Sequence, residues 1–260
     1  MKIKVINPNT TAEMTDDICE SAHYFSRPDT EIICVNPERG PVTLEGFYDE
    51  HMAIPGLIEE LLKSEREDKV DAYVVACFGD PGLYALRELT EKPVVGIAES
   101  AMMLASFVAG KFSIVTIMPR IRMMLEELIQ RVGVGHRLAS IRTPNLTVLD
   151  FMKDFEGCKR ILIEQAKDTI EKDYAEAIIL GCAGMAGFAA DVEKEVDVPV
   201  FDAVASAIKV AEALVDMKMK TSKVLSYQRP EKKEFKGMPE LFQPGEVARH
   251  ILYLLQAVTL

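Results

Sequence analysis

Short apolar runs alternate along this chain with longer stretches whose apolar residues recur every three to four positions. The first pattern predicts strands at 2–6, 31–35, 72–77, 94–97, 112–116, 138–141, 177–182 and 200–202. The second predicts helices at 11–25, 49–64, 81–89, 99–109, 119–132, 154–172, 188–195 and 204–217. The strand runs are continuous and rich in Val and Ile, as in strands buried on both faces. Interleaved with helices they make βαβ units, parallel sheets and right-handed crossovers. The expected class is α/β.

The pattern also repeats. Asp71-Ala-Tyr-Val-Val-Ala-Cys77-Phe-Gly-Asp-Pro-Gly82 lines up with Glu176-Ala-Ile-Ile-Leu-Gly-Cys182-Ala-Gly-Met-Ala-Gly187 at an offset of 105, from 77 to 182. Lys2-Ile-Lys-Val-Ile-Asn7 resembles Lys111-Phe-Ser-Ile-Val-Thr116 at an offset of 109, from 7 to 116. Each half thus holds an opening strand, a strand ending in Cys-x-Gly-x-x-Gly, a helix and a Pro-led strand. One such match would be ordinary α/β similarity; several at nearly constant offset point to an internal duplication.

Composition narrows the function classes. A net charge of −11 argues against nucleic-acid or anionic-membrane partners, which call for clustered Lys and Arg. No window supplies the roughly 18 consecutive apolar residues of a membrane span, and the opening apolar run is too short for a signal-peptide core. A soluble, cytoplasmic protein is expected. The five cysteines, at 19, 34, 77, 158 and 182, show no metal-type spacing, so no metal is expected. Disulfides are not expected either, and Cys19, Cys34 and Cys158 are assigned to packing or surface.

Cys77 and Cys182 differ from the other three by their setting. In open parallel sheets, ligands sit beyond the carboxyl ends of strands. A glycine turn entering a helix there presents backbone N–H groups to an anion and favours a thiolate, lowering the cysteine pKa. A cysteine at a strand end is usually packing; two in duplicated turns are not so easily explained. Lobes related by a pseudo-twofold would place the thiols on opposite faces of one carbon, the arrangement that racemisation needs. One base removes the proton and a conjugate acid returns it from the other side, with the turn amides after Phe78 and Ala183 stabilising the enolate.

At these residues the chain resembles the Asp/Glu/hydantoin racemase superfamily, nearest its hydantoin and allantoin racemase branch. The resemblance runs over about residues 1–222. It includes Ile6-Asn-Pro-Asn-Thr10, Ala76-Cys-Phe-Gly-Asp-Pro-Gly-Leu83, Pro93-Val-Val-Gly-Ile-Ala-Glu99 and Ala175-Glu-Ala-Ile-Ile-Leu-Gly-Cys-Ala-Gly-Met185. It implies two pseudosymmetric lobes with the site in the cleft between them, no cofactor, no metal, and Cys77 with Cys182 as the catalytic pair. Amino-acid racemases of the superfamily usually carry a polar pair after the cysteine; here Phe78-Gly79 and Ala183-Gly184 stand instead. Those four residues, with Asn7, Asn9, Thr43 and Thr116, are the candidate substrate-binding set. Thr43 enters only through the resemblance, and Asn7 and Asn9 equally suit turn and N-cap chemistry. A neutral ring, a 5-substituted hydantoin or allantoin, suits such a site better than a zwitterion. The alternatives are an aspartate- or glutamate-type racemase and a non-catalytic two-lobed ligand-binding protein.

The expected organisation is a first lobe of 1–100 plus 203–222, a second lobe of 101–202, and an extension of 223–260. Within the extension, Val247, Ile251, Leu254, Leu255 and Val258 fall at helical spacing, predicting an amphipathic helix at a homo-oligomer interface.

Overall fold

A computed structural model of the chain describes residues 1–146, 150, 153–185, 187–231 and 233–237. The amphipathic segment predicted at 246–258 lies outside them.

The first half runs β1 (Lys2–Ile6), α1 (Ala12–Phe25), β2 (Glu31–Val35), α2 (Phe47–Glu67), β3 (Ala72–Val75), α3 (Leu83–Leu89), β4 (Val94–Gly96) and α4 (Ile97–Val108). The second continues with β5 (Phe112–Val115), α5 (Arg122–Val132), β6 (Leu138–Arg142), α6 (Phe155–Asp173), β7 (Ala177–Leu180), α7 (Ala189–Glu193), β8 (Val200–Asp202) and α8 (Ala203–Asp216). Every pairing is parallel, and the sheet orders are β2-β1-β3-β4 and β6-β5-β7-β8. The two sheets therefore have the same winding, and the duplication seen in the sequence extends to topology.

The two strands that lead to the cysteines, β3 and β7, are buried along their whole length. Their successive residues face opposite layers. Tyr73 and Val75 pack outward with Leu57 and Leu61 of α2 and Leu86 of α3. Ile178 and Leu180 do the same with Leu162 and Ala166 of α6. The inward residues Val74 and Ile179 join one cluster with Ile3, Ala98, Met102, Ile114, Leu128 and Ala207. A single core thus runs between the inner faces of both sheets, with α4 and α8 packed against each other inside it. Burying a side chain of this size contributes roughly 1.5–3 kcal/mol, so the two sheets are held as one body.

Several boundaries differ from the periodic reading, and those around the cysteines matter most. Strands β3, β5 and β7 stop at Val75, Val115 and Leu180, one or two residues early, which leaves both cysteines outside the ladders. Helix α4 starts at Ile97 because the Glu99 carboxylate accepts the Gly96 N–H at 3.2 Å and closes its first turn.

One expectation is overturned. Cys19 of α1 and Cys34 of β2 form a disulfide, with their Cα atoms 5.7 Å apart. Helix α1 packs directly on β2, which brings two residues 15 apart in sequence into bonding geometry. Cys77, Cys158 and Cys182 carry no disulfide. Among the described residues, no helix is long and apolar enough to cross a membrane, and no group of three or more His, Cys, Asp or Glu is clustered to hold a metal ion.

Candidate active site

Cys77 and Cys182 each stand two residues beyond a buried strand, in turns closed by the same backbone bond. The Cys77 carbonyl accepts the Asp80 N–H at 3.0 Å, and the Cys182 carbonyl accepts the Met185 N–H at 3.0 Å. Five residues past each cysteine the chain passes through the left-handed region at glycine, with φ +64° at Gly82 and +86° at Gly187. Only glycine adopts that backbone without a Cβ penalty. The Cys-x-Gly-x-x-Gly spacing is thus the imprint of one turn used twice.

The two turns meet. Both cysteines line one cavity of about 60 Å³, together with Asn9, Phe78, Gly79, Gly181 and Ala183. Met14, Leu44, Ile117, Ile121 and Met124 make most of the remaining wall, which is apolar, and Glu50 of α2 contributes a carboxyl. Sequence reasoning missed these six. Glu50 lies in the first turn of a helix among other acidic residues, and nothing in that pattern distinguishes it.

The electrostatics correct a second expectation. Cys77 is only partly buried as a residue, yet the surroundings of its thiol push the pKa up to about 12 rather than lowering it. Desolvation is the largest cause; the nearby Cys182, Glu50 and Asp80 add to it, and the Gly79 N–H, hydrogen-bonded to the sulfur, opposes it. The turn amide points where it was expected, but one N–H does not outweigh an apolar pocket and neighbouring negative charge. Burial also raises the Glu50 carboxyl, against the attraction of Arg131.

The other predicted residues divide. Asn9, Phe78, Gly79 and Ala183 are at the cavity with the cysteines. Asn7 is buried behind it, and its Nδ2 donates to Asn9 Oδ1 at 3.0 Å and to Thr15 Oγ1 at 2.9 Å. Asn9 Oδ1 in turn accepts the Thr11 N–H at 2.9 Å, so the Asn-Pro-Asn-Thr segment is an organised turn as well as a wall. Thr116 donates to the Gly181 carbonyl at 2.6 Å and braces the chain just before Cys182. Thr43 is not part of the wall; its hydroxyl lies 3.4 Å from Glu45 Oε1. Gly184 sits in the 3-10 turn Ala183–Met185.

A twice-used strand-end cysteine turn, closing on one cavity between two equally wound sheets, defines a class. The chain belongs to the Asp/Glu/hydantoin racemase family, whose model matches residues 3–211. It is 53% identical to the hydantoin racemase of Pseudomonas sp. (strain NS671) over 93% of this chain and 97% of that one. It is 39% identical to the hydantoin racemase of Rhizobium meliloti over 91% of this chain and 98% of that one. Among solved structures, allantoin racemase from Klebsiella pneumoniae superposes with a TM-score of 0.88 at 40% identity, covering 92% of this chain and 97% of that one. Within the family the chain falls in the hydantoin/allantoin racemase branch, and it is an isomerase of the racemase type.

Proposed function

We propose that the chain racemises a five-membered cyclic ureide, a 5-substituted hydantoin or allantoin, by two-base proton transfer between Cys77 and Cys182. The observation that carries this is the matched pair of cysteine turns opening on one cavity. One thiolate takes the proton from C5, and the electron pair passes into the adjacent carbonyl to form an enolate. The other thiol returns a proton to the opposite face and becomes the thiolate. With its pKa pushed up to about 12, chiefly by burial, Cys77 is a thiol at neutral pH. The mutual repulsion of the two sulfurs disfavours double ionisation, so the pair keeps at least the one proton that the exchange needs.

The walls favour a neutral ring over an amino acid. Among the described residues of the cavity, the only ionisable side chain besides the thiols is Glu50. An α-carboxylate there would be desolvated with no cation among the residues lining the cavity, at a cost of several kcal/mol. Ring N–H and C=O groups need only neutral partners such as the Asn9 amide and the backbone of the turns. The first lobe is taken as 1–100 plus 203–222 and the second as 101–202, with no cofactor, working as a cytoplasmic homo-oligomer.

The test is proton exchange in D2O on single enantiomers of allantoin and of benzyl-, isobutyl- and methylthioethyl-hydantoin. Cys77→Ser and Cys182→Ser should each abolish racemisation while one enantiomer still exchanges its C5 proton through the surviving thiol. Racemisation at the wild-type rate in either variant would refute the mechanism.

A further inference from the structure

Each cysteine turn is fastened to the N-terminus of the helix that follows the next strand, and the two lobes do this from opposite ends. In the first lobe the fastening group is Asp80, three residues past Cys77. Its Oδ1 accepts the Ala98 N–H at 3.0 Å and its Oδ2 the Glu99 N–H at 2.8 Å, so it caps α4 from 18 residues away. The residue that would ordinarily cap α4 is Gly96, and a β-carbon there would lie 2.3 Å from Asp80 Cγ. In the second lobe the position matching Asp80 is Met185, and the position matching Gly96 is Asp202, which does have a side chain. Asp202 Oδ1 caps α8 through the Ala205 N–H at 2.9 Å, and Oδ2 reaches back to the Gly187 N–H of the cysteine turn at 2.8 Å.

Asp80 also holds its own backbone in the left-handed region, at φ +49°, a conformation that a non-glycine residue keeps only when its surroundings enforce it. Its N–H closes the turn on the Cys77 carbonyl at 3.0 Å, while the Gly79 N–H between them is bonded to the Cys77 sulfur. Loss of the carboxylate anchor removes what enforces that backbone, and with it the placement of the Gly79 N–H and of the thiol. Both carboxylates are buried, at 2% and 5% exposure, so water does not replace the missing acceptor.

We infer that Asp80 and Asp202 are positioning residues for the two thiols, Asp80 for Cys77 and Asp202 for Cys182, each acting on one face of the substrate. This rests on the two-cysteine reading above.

The experiment is deuterium wash-in into each pure hydantoin enantiomer, at early times before racemisation mixes them. Cys182→Ser first identifies which enantiomer presents its proton to Cys77. Asp80→Asn should then slow exchange of that enantiomer at least tenfold more than exchange of the other, and Asp202→Asn should do the reverse. The second-lobe arrangement can also be transplanted. In Asp80→Ala/Gly96→Asp, the new carboxylate has the Glu99 and Gly82 N–H groups where Asp202 has those of Ala205 and Gly187. This double variant should recover exchange to within about threefold of wild type, where Asp80→Ala alone does not, and it keeps the question answerable if Asp80→Ala folds poorly. Equal slowing of both enantiomers by Asp80→Asn, or no recovery in a folded double variant, would overturn the inference while leaving the cysteine mechanism standing. If Cys182→Ser shows no one-sided exchange, the cysteine reading falls and this inference with it.

Discussion

The Phe78 ring packs close against Gly181, across the meeting of the two cysteine turns. One follows Cys77, the other precedes Cys182, and a β-carbon at 181 would come 3.2 Å from the Phe78 ring and 2.8 Å from Ile114 Cγ2. The absence of a side chain at 181 is what lets a phenylalanine from one lobe close against the strand end of the other. Gly181→Ala is therefore expected to destabilise the protein by about 1–3 kcal/mol through overpacking. It should lower racemisation by more than stability alone explains, on the order of a hundredfold for an ångström of misplacement. Urea unfolding beside kcat/KM on the same preparation measures both; a fully active Gly181→Ala would show that the spacing of the turns does not depend on this contact.

Asp80 makes a prediction about pH. Burial, with Glu99 nearby, raises its carboxyl from 3.8 to about 7. Between those values the native state holds a proton that the unfolded chain has released. This contribution to stability is complete below about pH 4 and is lost as pH rises through about 7. Other carboxylates act in the opposite sense, such as Asp173, whose pKa is lowered chiefly by its hydrogen bond to Arg142. The informative quantity is thus the difference between wild type and Asp80→Asn. Measured by urea unfolding from pH 4 to pH 8, wild type should lose stability relative to the variant as pH rises; a flat difference would contradict the raised carboxyl.

The Cys19–Cys34 bridge closes a short loop between α1 and β2. A loop of that length is worth about 3 kcal/mol through the entropy of the unfolded chain. Replacing both cysteines by alanine should lower the urea midpoint accordingly, and reductant should bring wild type down to the same midpoint. Racemisation per folded molecule should not change, since the bridge lies away from the cavity. A wild-type midpoint indifferent to reductant would show that the bridge does not form.

The chain after α8 returns to the first lobe. Thr221 pairs with Glu91 and Lys92, the Lys223 ammonium with the carbonyls of Arg87 and Glu88 at the end of α3, and Arg229 with Glu91. The Tyr227 ring lies 5.9 Å from that of Tyr84. Truncation after Thr221 removes all but the first of these contacts. It should lower the melting temperature by about 2–4 °C for each kcal/mol lost, with a far smaller effect on racemisation per folded site. An unchanged melting temperature would mark the extension as dispensable to the fold.

What the sequence determined by itself was whatever repeats locally. Continuous Val and Ile runs marked the buried parallel strands, and the twice-written Cys-x-Gly-x-x-Gly marked both the duplication and the turns, because each glycine there answers a backbone demand within a few residues. Cys77 and Cys182 were legible for the same reason, and so were their neighbours Phe78, Gly79 and Ala183. Only the tertiary structure decided what depends on contacts between distant segments. It brought Cys19 to Cys34 by packing α1 on β2, moved Glu50 and Met124 into the cavity wall, and bound Asn7 and Thr116 to protein partners. It also raised the Cys77 pKa where the local turn alone predicted a fall, because desolvation is summed over every atom around the sulfur while a turn supplies one N–H. The Asp80 and Asp202 anchors show the same division: both carboxylates stood in plain view in the chain, but which helix each one caps follows from which residues the folded sheets place side by side.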